Sequence, residues 1–418
     1  MGLTNARGKV AQQATNATFF FQGVISTTQI PRIPELIDNL NVTFTVWGLI
    51  IGLAGLGSLI GLTMANRFIV RYGARRMVLI GSLAVSTLMM TLPWITNPWL
   101  FFTVQVVSGF CGSVMGIALN AQSVVLQKLL NRVVIGRFHA SWSIGATASA
   151  AVAGVFAGFM PLWLHLTIVP LLSAIAFFWT TSKMLTTEEI GHANEKKSEK
   201  RIPFFKSPPQ VWLLTAGLFT GVFPELCMMD WSAVFAQEAM GLNAGLGAIP
   251  YTIFSGAMIV GRLSIGRLTK RFHISELSKW GGIFGSVTLG LGVLLGPLLA
   301  QVDQILALVV LSVLWGATGL GLAPMVPSFF TGAGFVKGLT TAQAMARMSL
   351  VNSIIIMGAK IFMGALAQNV NIVAAFIFPT ALMLAAGFIA HVVAKRAKRA
   401  DAVAMAFPPT GPISIIEN

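Results

Sequence analysis

"GLTMANRFIVRYGARR", residues 61–76, is echoed 200 residues later by "GRLSIGRLTKRFHISE", residues 261–276. In this register Gly61 aligns with Gly261, Arg67 with Arg267, Arg71 with Arg271 and Tyr72 with Phe272. Each stretch closes an apolar segment and opens a basic loop. A basic loop after a membrane helix is common, but glycines and arginines kept in register are less easily explained that way. The pattern marks an internal repeat, so the chain reads as two copies of one unit.

The composition agrees with a membrane location. Of 418 residues, 55% are apolar and 10% charged, where soluble domains carry about 25% charged residues. Apolar runs of about 20 residues recur along the whole chain, each long enough to cross the hydrocarbon core. Twelve spans are expected, near 12–35, 43–66, 77–96, 98–127, 138–160, 162–183, 209–238, 243–267, 277–300, 303–329, 342–368 and 370–394. The expected fold class is all-α integral membrane, with twelve transmembrane helices in two pseudo-symmetric six-helix halves. The halves are residues 1–183 and 209–394, joined by a polar cytoplasmic linker at 184–208 and followed by a disordered tail at 395–418. The first span, "QQATNATFFFQGVISTTQIP", is too polar for a lipid-facing helix. It is expected to line an aqueous path, the alternative being an amphipathic helix on the surface.

The net charge of +15 does not imply nucleic-acid binding, because the charges sit in short loops between spans. Twenty-four of the 28 basic residues fall in the N-terminus, in alternate loops or in the C-terminus. The opposite loops carry only Arg32, while Arg262, Arg347 and Lys360 lie within spans. By the positive-inside rule both termini are expected to be cytoplasmic; the expected location is a plasma membrane, a bacterial inner membrane. Cys111 and Cys227 lie inside spans, so a disulfide framework is not expected.

The repeated loops resemble the signature loop of the major facilitator superfamily, Gly-x-x-x-Asp-Arg-x-Gly-Arg-Arg. The first copy keeps Arg71, Gly73, Arg75 and Arg76 but has Val70 for the Asp and Asn66 for the first Gly. The second keeps Gly266 and Arg271, with Arg267 beside them, but has Lys270 for the Asp and His273 for the second Gly. Three further stretches resemble the MosC/YbjJ-like branch, related to fucose-permease-like sugar permeases: "LNAQ" at 119–122, "FHASWSIG" at 138–145 and "PELCMMDW" at 224–231. The resemblance covers essentially the whole chain. It implies the major facilitator fold, a small polar solute such as a sugar or polyol, and gating by the two loops.

Inside the spans the polar residues are few. Glu225 and Asp230 are the only acids placed well within one. An acid at the bilayer centre costs roughly 2.5–3.5 kcal/mol, so each needs a cation, water or a proton. Five residues turn a helix by about 140°, so the two do not share a narrow face. Lys360, in "IIIMGAKIFMGAL", lies at a depth similar to that of Asp230, which suggests an Asp230–Lys360 ion pair. That leaves Glu225 nearer the solute or a proton path, where desolvation favours a protonatable carboxyl. Asn120, Gln122 and His139 sit toward the cytoplasmic side, as solute ligands or as interhelical glue. Trp231 is placed to stack on a sugar ring or to pack in the core. Arg262 is expected to snorkel or pair. Gly52, Gly55 and Gly57, with Gly145, Gly154 and Gly158, form seams for close helix contact.

These features favour a secondary transporter or facilitator working by alternating access, with proton coupling through Glu225. No G-x-x-x-x-G-K-[ST] motif is present, so this chain alone is not expected to hydrolyse ATP. No nucleophile, metal cluster or surface acid pair suggests an enzyme, and no cofactor or metal is expected. The expected partners are a small solute and the bilayer, with a monomeric chain. The alternatives are a non-transporting solute sensor and a multidrug/proton antiporter. Against the latter, helix five lacks the Gly-Pro pair of the drug antiporters.

Overall fold

The computed structural model describes residues 5–130, 134–186, 189, 204, 207–336 and 338–406. Most of the expected linker, and the tail from 407, lie outside these residues. The expectation of disorder from 395 is corrected in part, because the last helix continues to Ala406.

Among the described residues the chain is helical, without strands. Eleven helices among the described residues are long and apolar enough to cross a membrane. With the polar first helix they are numbered α1 (Asn5–Thr27), α2 (Phe44–Tyr72), α3 (Ala74–Trp94), α4 (Pro98–Gln127), α5 (Ile135–Ala157) and α6 (Leu162–Ser182). The second set is α7 (Pro209–Met240), α8 (Ala244–Leu268), α9 (Ile274–Ala300), α10 (Gln304–Ala333), α11 (Gln343–Asn369) and α12 (Ile372–Lys395).

At about 1.5 Å per residue, α1 is roughly 35 Å long, enough to cross the core. It is not a surface helix, for it packs against α5 and α6. Ala11, Thr15, Thr18 and Ile25 are buried there. The threonine hydroxyls return to carbonyls one turn back, Thr15 to Ala11 and Thr18 to Ala14, so their burial leaves no donor unmet. The expected first span runs to 35, but α1 ends at Thr27. Pro31 and Pro34 cannot continue a helix interior and instead open two short helices, Ile30–Arg32 and Ile33–Leu40.

The repeat read from the sequence recurs in the packing. The pairs α1·α5, α1·α6, α2·α4, α3·α4 and α3·α6 are matched by α7·α11, α7·α12, α8·α10, α9·α10 and α9·α12. The repeated glycines explain part of this match. A Cβ on Gly61 would lie 2.6 Å from the Phe110 carbonyl of α4, and one on Gly261 would lie 2.7 Å from the Ala323 Cβ of α10. Only glycine allows either approach.

The two loops turn differently. Gly73 has φ 85° and ψ 145°, a conformation essentially reserved for glycine, and it breaks the chain sharply between α2 and α3. Its counterpart His273 has φ −66° and caps α9, its Nδ1 accepting from the Ser275 amide at 3.3 Å. The missing second glycine is thus replaced by a capping side chain.

Candidate functional site

The two halves touch mainly along α2·α11 and α5·α8. Gly48 and Gly364 face each other. A Cβ on Gly364 would meet the Phe44 carbonyl at 2.4 Å and the Gly48 Cα at 2.8 Å. The Phe44 amide donates to Gln368 Oε1 at 2.9 Å across the same seam. Gly52 and Gly55 lie against Met357, while Gly154 and Gly158 lie against Ala248 and Gly245. Thr147 and Ser255 share a hydroxyl hydrogen bond of 3.3 Å. Gly48, Gly245, Gly154 and Gly364 sit at the start of α2 and α8 and toward the end of α5 and α11, with Thr147, Ser255 and Met357 nearer mid-helix. They therefore join the halves at the end of the bundle remote from the termini.

Beneath this closure lies a cavity of about 460 Å³. One wall, from the N-terminal half, presents the amides of Gln22, Gln29 and Gln105 and the hydroxyls of Ser26, Ser58, Ser108 and Ser113. The other wall supplies Asp230 and Lys360. A second chamber of about 290 Å³ shares Ser58, Ser113 and Lys360 and extends past Leu62, Leu226 and Ser353 toward the end that holds the termini. Lys360 stands at the junction. The polar first helix supplies Gln22 and Ser26 to the cavity wall.

The Asp230–Lys360 pair suggested by helix depth is present, with Lys360 Nζ 2.7 Å from Asp230 Oδ2. Asp230 Oδ2 has no aligned hydrogen-bond donor, so this approach is an ionic contact rather than an oriented hydrogen bond. The side chains are 17% and 18% exposed, mostly enclosed but open to the cavity. Glu225, turned away on α7, meets Arg262 of α8, whose Nη2 donates to Glu225 Oε2 at 2.7 Å. Glu225 does not belong to the cavity wall. The 140° turn between the acids is the reason: one faces the cavity and Lys360, the other the neighbouring helix α8.

The remaining predicted residues lie outside the cavity. Trp231 is 1% exposed and meets Phe44 edge-on at 6.0 Å, so it seals the contact between halves rather than offering a face to a ring. Gln122 is buried, its Nε2 donating to the Leu185 carbonyl at 2.9 Å, which ties the start of the linker to α4. Asn120 donates to Gly116 O in its own helix. His139 is exposed and packs edge-on against Phe19 at 5.4 Å. Of the basic loop residues, Arg71 lies over the Tyr72 ring and Arg75 donates to the Ser182 carbonyl at 2.7 Å, while Arg76, Gly266, Arg267 and Arg271 are exposed. Sequence reasoning missed the glutamines. Gln22 in "FFFQGV" and Gln105 in "FFTVQVV" interrupt apolar runs, and an amide in such a run is itself a signal.

A cavity with a mixed polar and apolar lining between two repeated six-helix halves fits a membrane transporter. The family model described as Major Facilitator Superfamily matches residues 16–342. The chain belongs to that superfamily. Its relatives include an uncharacterized MFS-type transporter of Yersinia pestis, 23% identical over 87% of this chain and 91% of that one. An uncharacterized transporter of Sinorhizobium fredii is 27% identical over 80% and 85%. The membrane protein MosC of Rhizobium meliloti is 20% identical over 90% and 88%. Among solved structures, a mutant of the nucleoside transporter NupG superposes with TM-score 0.73 at 13% identity, covering 92% of this chain and 99% of that one. A bacterial homologue of the lysosomal transporter Spinster, inward-facing and occupied, gives 0.68 at 13% identity over 94% and 98%. This chain is therefore a multi-pass membrane transporter by family, not an enzyme.

Proposed function

We propose that the chain carries a small, net-neutral, hydroxyl-bearing solute, a sugar, a polyol or a compound of similar polarity, by alternating access. The observation that carries this reading is the composition of the cavity wall. Three amides and four hydroxyls face a single ion pair whose charges cancel. Amides and hydroxyls both donate and accept, which suits a solute whose own hydroxyls do the same. A lone cation or anion would meet no uncompensated opposite charge there. The volume lies in the ordinary range for a site enclosing one small molecule, about 300–1,000 Å³.

In this reading residues 1–183 rock against 209–394, opening the glycine seams at one end as the other end closes. The coupling carboxylate is Asp230 rather than Glu225. Asp230 faces the cavity and is held, among the described residues, by Lys360, whereas Glu225 is held by Arg262 away from it. A proton on Asp230 would free Lys360 to donate to a solute oxygen. The chain works as a monomer in a bacterial inner membrane with both termini cytoplasmic.

The test is thermal stability of the purified protein against sugars, polyols, nucleosides, amino acids, organic acids and hydrophobic cations. A solute at 100 times its Kd adds about 2.7 kcal/mol. A polyhydroxylated stabiliser whose effect falls in Gln105→Leu supports the reading. Stabilisation only by hydrophobic cations or by acids contradicts it.

A further inference from the structure

The segment between α1 and α2 has one polar side and one apolar side. Its short helix, Ile33–Leu40, ends at Asn41 in a left-handed conformation (φ 49°). Gln29, Ile33 and Leu36 line the cavity at the end remote from the termini. The segment also packs against α7 of the other half.

Its described side-chain bonds all run within itself or to the N-terminal half. Arg32, 1% exposed, grips both oxygens of Glu35 and donates to the Met160 carbonyl at 2.9 Å. Arg32 Nη1 also points at His165 Nδ1, 3.4 Å away, and His165 Nε2 lies 3.0 Å from Thr28 Oγ1. With Nδ1 accepting from Arg32, the ring carries its hydrogen on Nε2 and donates to Thr28. Asn39 donates to the carbonyls of Pro93 and Ile95 at 3.1 and 3.2 Å. To α7 the segment makes no described side-chain hydrogen bond, and its Ile33, Leu36 and Ile37 belong to the same core cluster as Val234 and Phe235 of that helix.

Buried charge-assisted hydrogen bonds are directional and costly to break, while apolar contact parts and re-forms without orphaned groups. When the halves separate at this end, the α7 face gives way and the Arg32 side holds. We propose that residues 28–41 are a lid over the solute cavity that travels with the N-terminal half, and that Arg32 is its positioning residue. Arg32 touches no solute. It fixes where Gln29, Ile33 and Leu36 close the cavity. This rests on the reading of the cavity as a solute site open to each membrane face in turn.

The test reads closure without needing the solute. Ser26, on the cavity wall, is changed to Cys in a chain carrying Cys111→Ser and Cys227→Ser. It is labelled with a membrane-impermeant maleimide in intact cells and in inside-out vesicles. With the lid intact, labelling from the face remote from the termini is slow. Arg32→Gln raises that rate roughly tenfold or more, as loss of charge-assisted bonds shifts a closed–open balance, and does not raise the rate from the other face. Leu36→Ala keeps the Arg32 anchor and gives a smaller rise on the same face. A folded Arg32→Gln protein with an unchanged rate overturns the lid. If Arg32→Gln does not fold, an unchanged rate in Leu36→Ala overturns it. Equal rises on both faces indicate general loosening and also overturn it. No labelling of Ser26→Cys from either face, in any variant, removes the accessible cavity and the lid with it.

Discussion

Removing one partner of the Asp230–Lys360 pair leaves the other as an uncompensated charge among helices. The side chains are 17% and 18% exposed and 2.7 Å apart. At an effective dielectric near 20, charges about 4 Å apart attract by about 4 kcal/mol, and closer ones by somewhat more. Breaking a fully buried pair costs about 3–5 kcal/mol. The cavity face admits water, so Lys360→Met or Asp230→Asn alone should cost about 2–3 kcal/mol, below the fully buried range. The double variant removes both charges together and should cost little more than either single change. The expected coupling energy in a double-mutant cycle is therefore about 2 kcal/mol. Denaturant unfolding in a fixed detergent, read by tryptophan fluorescence, measures it. Single losses that simply add, within about 0.5 kcal/mol, would refute the pairing as an energetic unit. The Glu225–Arg262 pair supplies a comparison. Arg262 is 33% exposed, so its coupling should be weaker, about 1 kcal/mol, nearer the value of exposed pairs.

Three other outcomes are expected. Gly364→Ala places a Cβ 2.4 Å from the Phe44 carbonyl; it should cost about 1–3 kcal/mol as overpacking and raise maleimide labelling of Ser26→Cys from the face remote from the termini. Gly73→Ala should cost about 1–3 kcal/mol in the same unfolding assay, because φ 85° with ψ 145° strains any Cβ, whereas His273→Ala should cost only a capping bond, about 1 kcal/mol. Glu189, between α6 and α7, is held below the ordinary carboxylate range by its hydrogen bond to Arg7. Its contribution is full above the unfolded carboxyl value of about 4.3 and fades as pH falls through the lower folded value. The protection of the amides around Lys183–Leu185, taken relative to the intrinsic exchange rate at each pH, should fall at that acid limit in wild type, and in Glu189→Gln it should be low and independent of pH.

Much of the architecture was legible because bilayer physics is one-dimensional. Span length, basic loops and a register of 200 residues needed no contacts to be read. The Asp230–Lys360 pair was legible for the same reason, since helix rise alone gives matching depths. Rotation about each helix was not legible. Nothing in "LNAQ" says that Gln122 faces the Leu185 carbonyl, and nothing in "PELCMMDW" says that Trp231 turns to Phe44. Arg262 lies nearer the end of α8 than Glu225 does on α7, and only the length of an arginine side chain closes that gap. The fold-back after α1 was signalled by Pro31 and Pro34 in "QIPRIPEL". The buried Arg32 contradicts the ordinary reading of a loop cation as solvated, because its bonds to Glu35, Met160 and His165 come from sequence-distant positions as well as near ones.

The central claim is that the cavity carries solute across the membrane. Its most direct test is flux into proteoliposomes of whichever hydroxylated solute stabilises the purified protein. Wild type is compared with the charge-neutral Asp230→Asn, Lys360→Met double variant, which should stay folded. The account predicts saturable uptake by wild type and its loss in the double variant. Tight binding with no flux in wild type would contradict it and would make the chain a solute sensor built on a transporter fold.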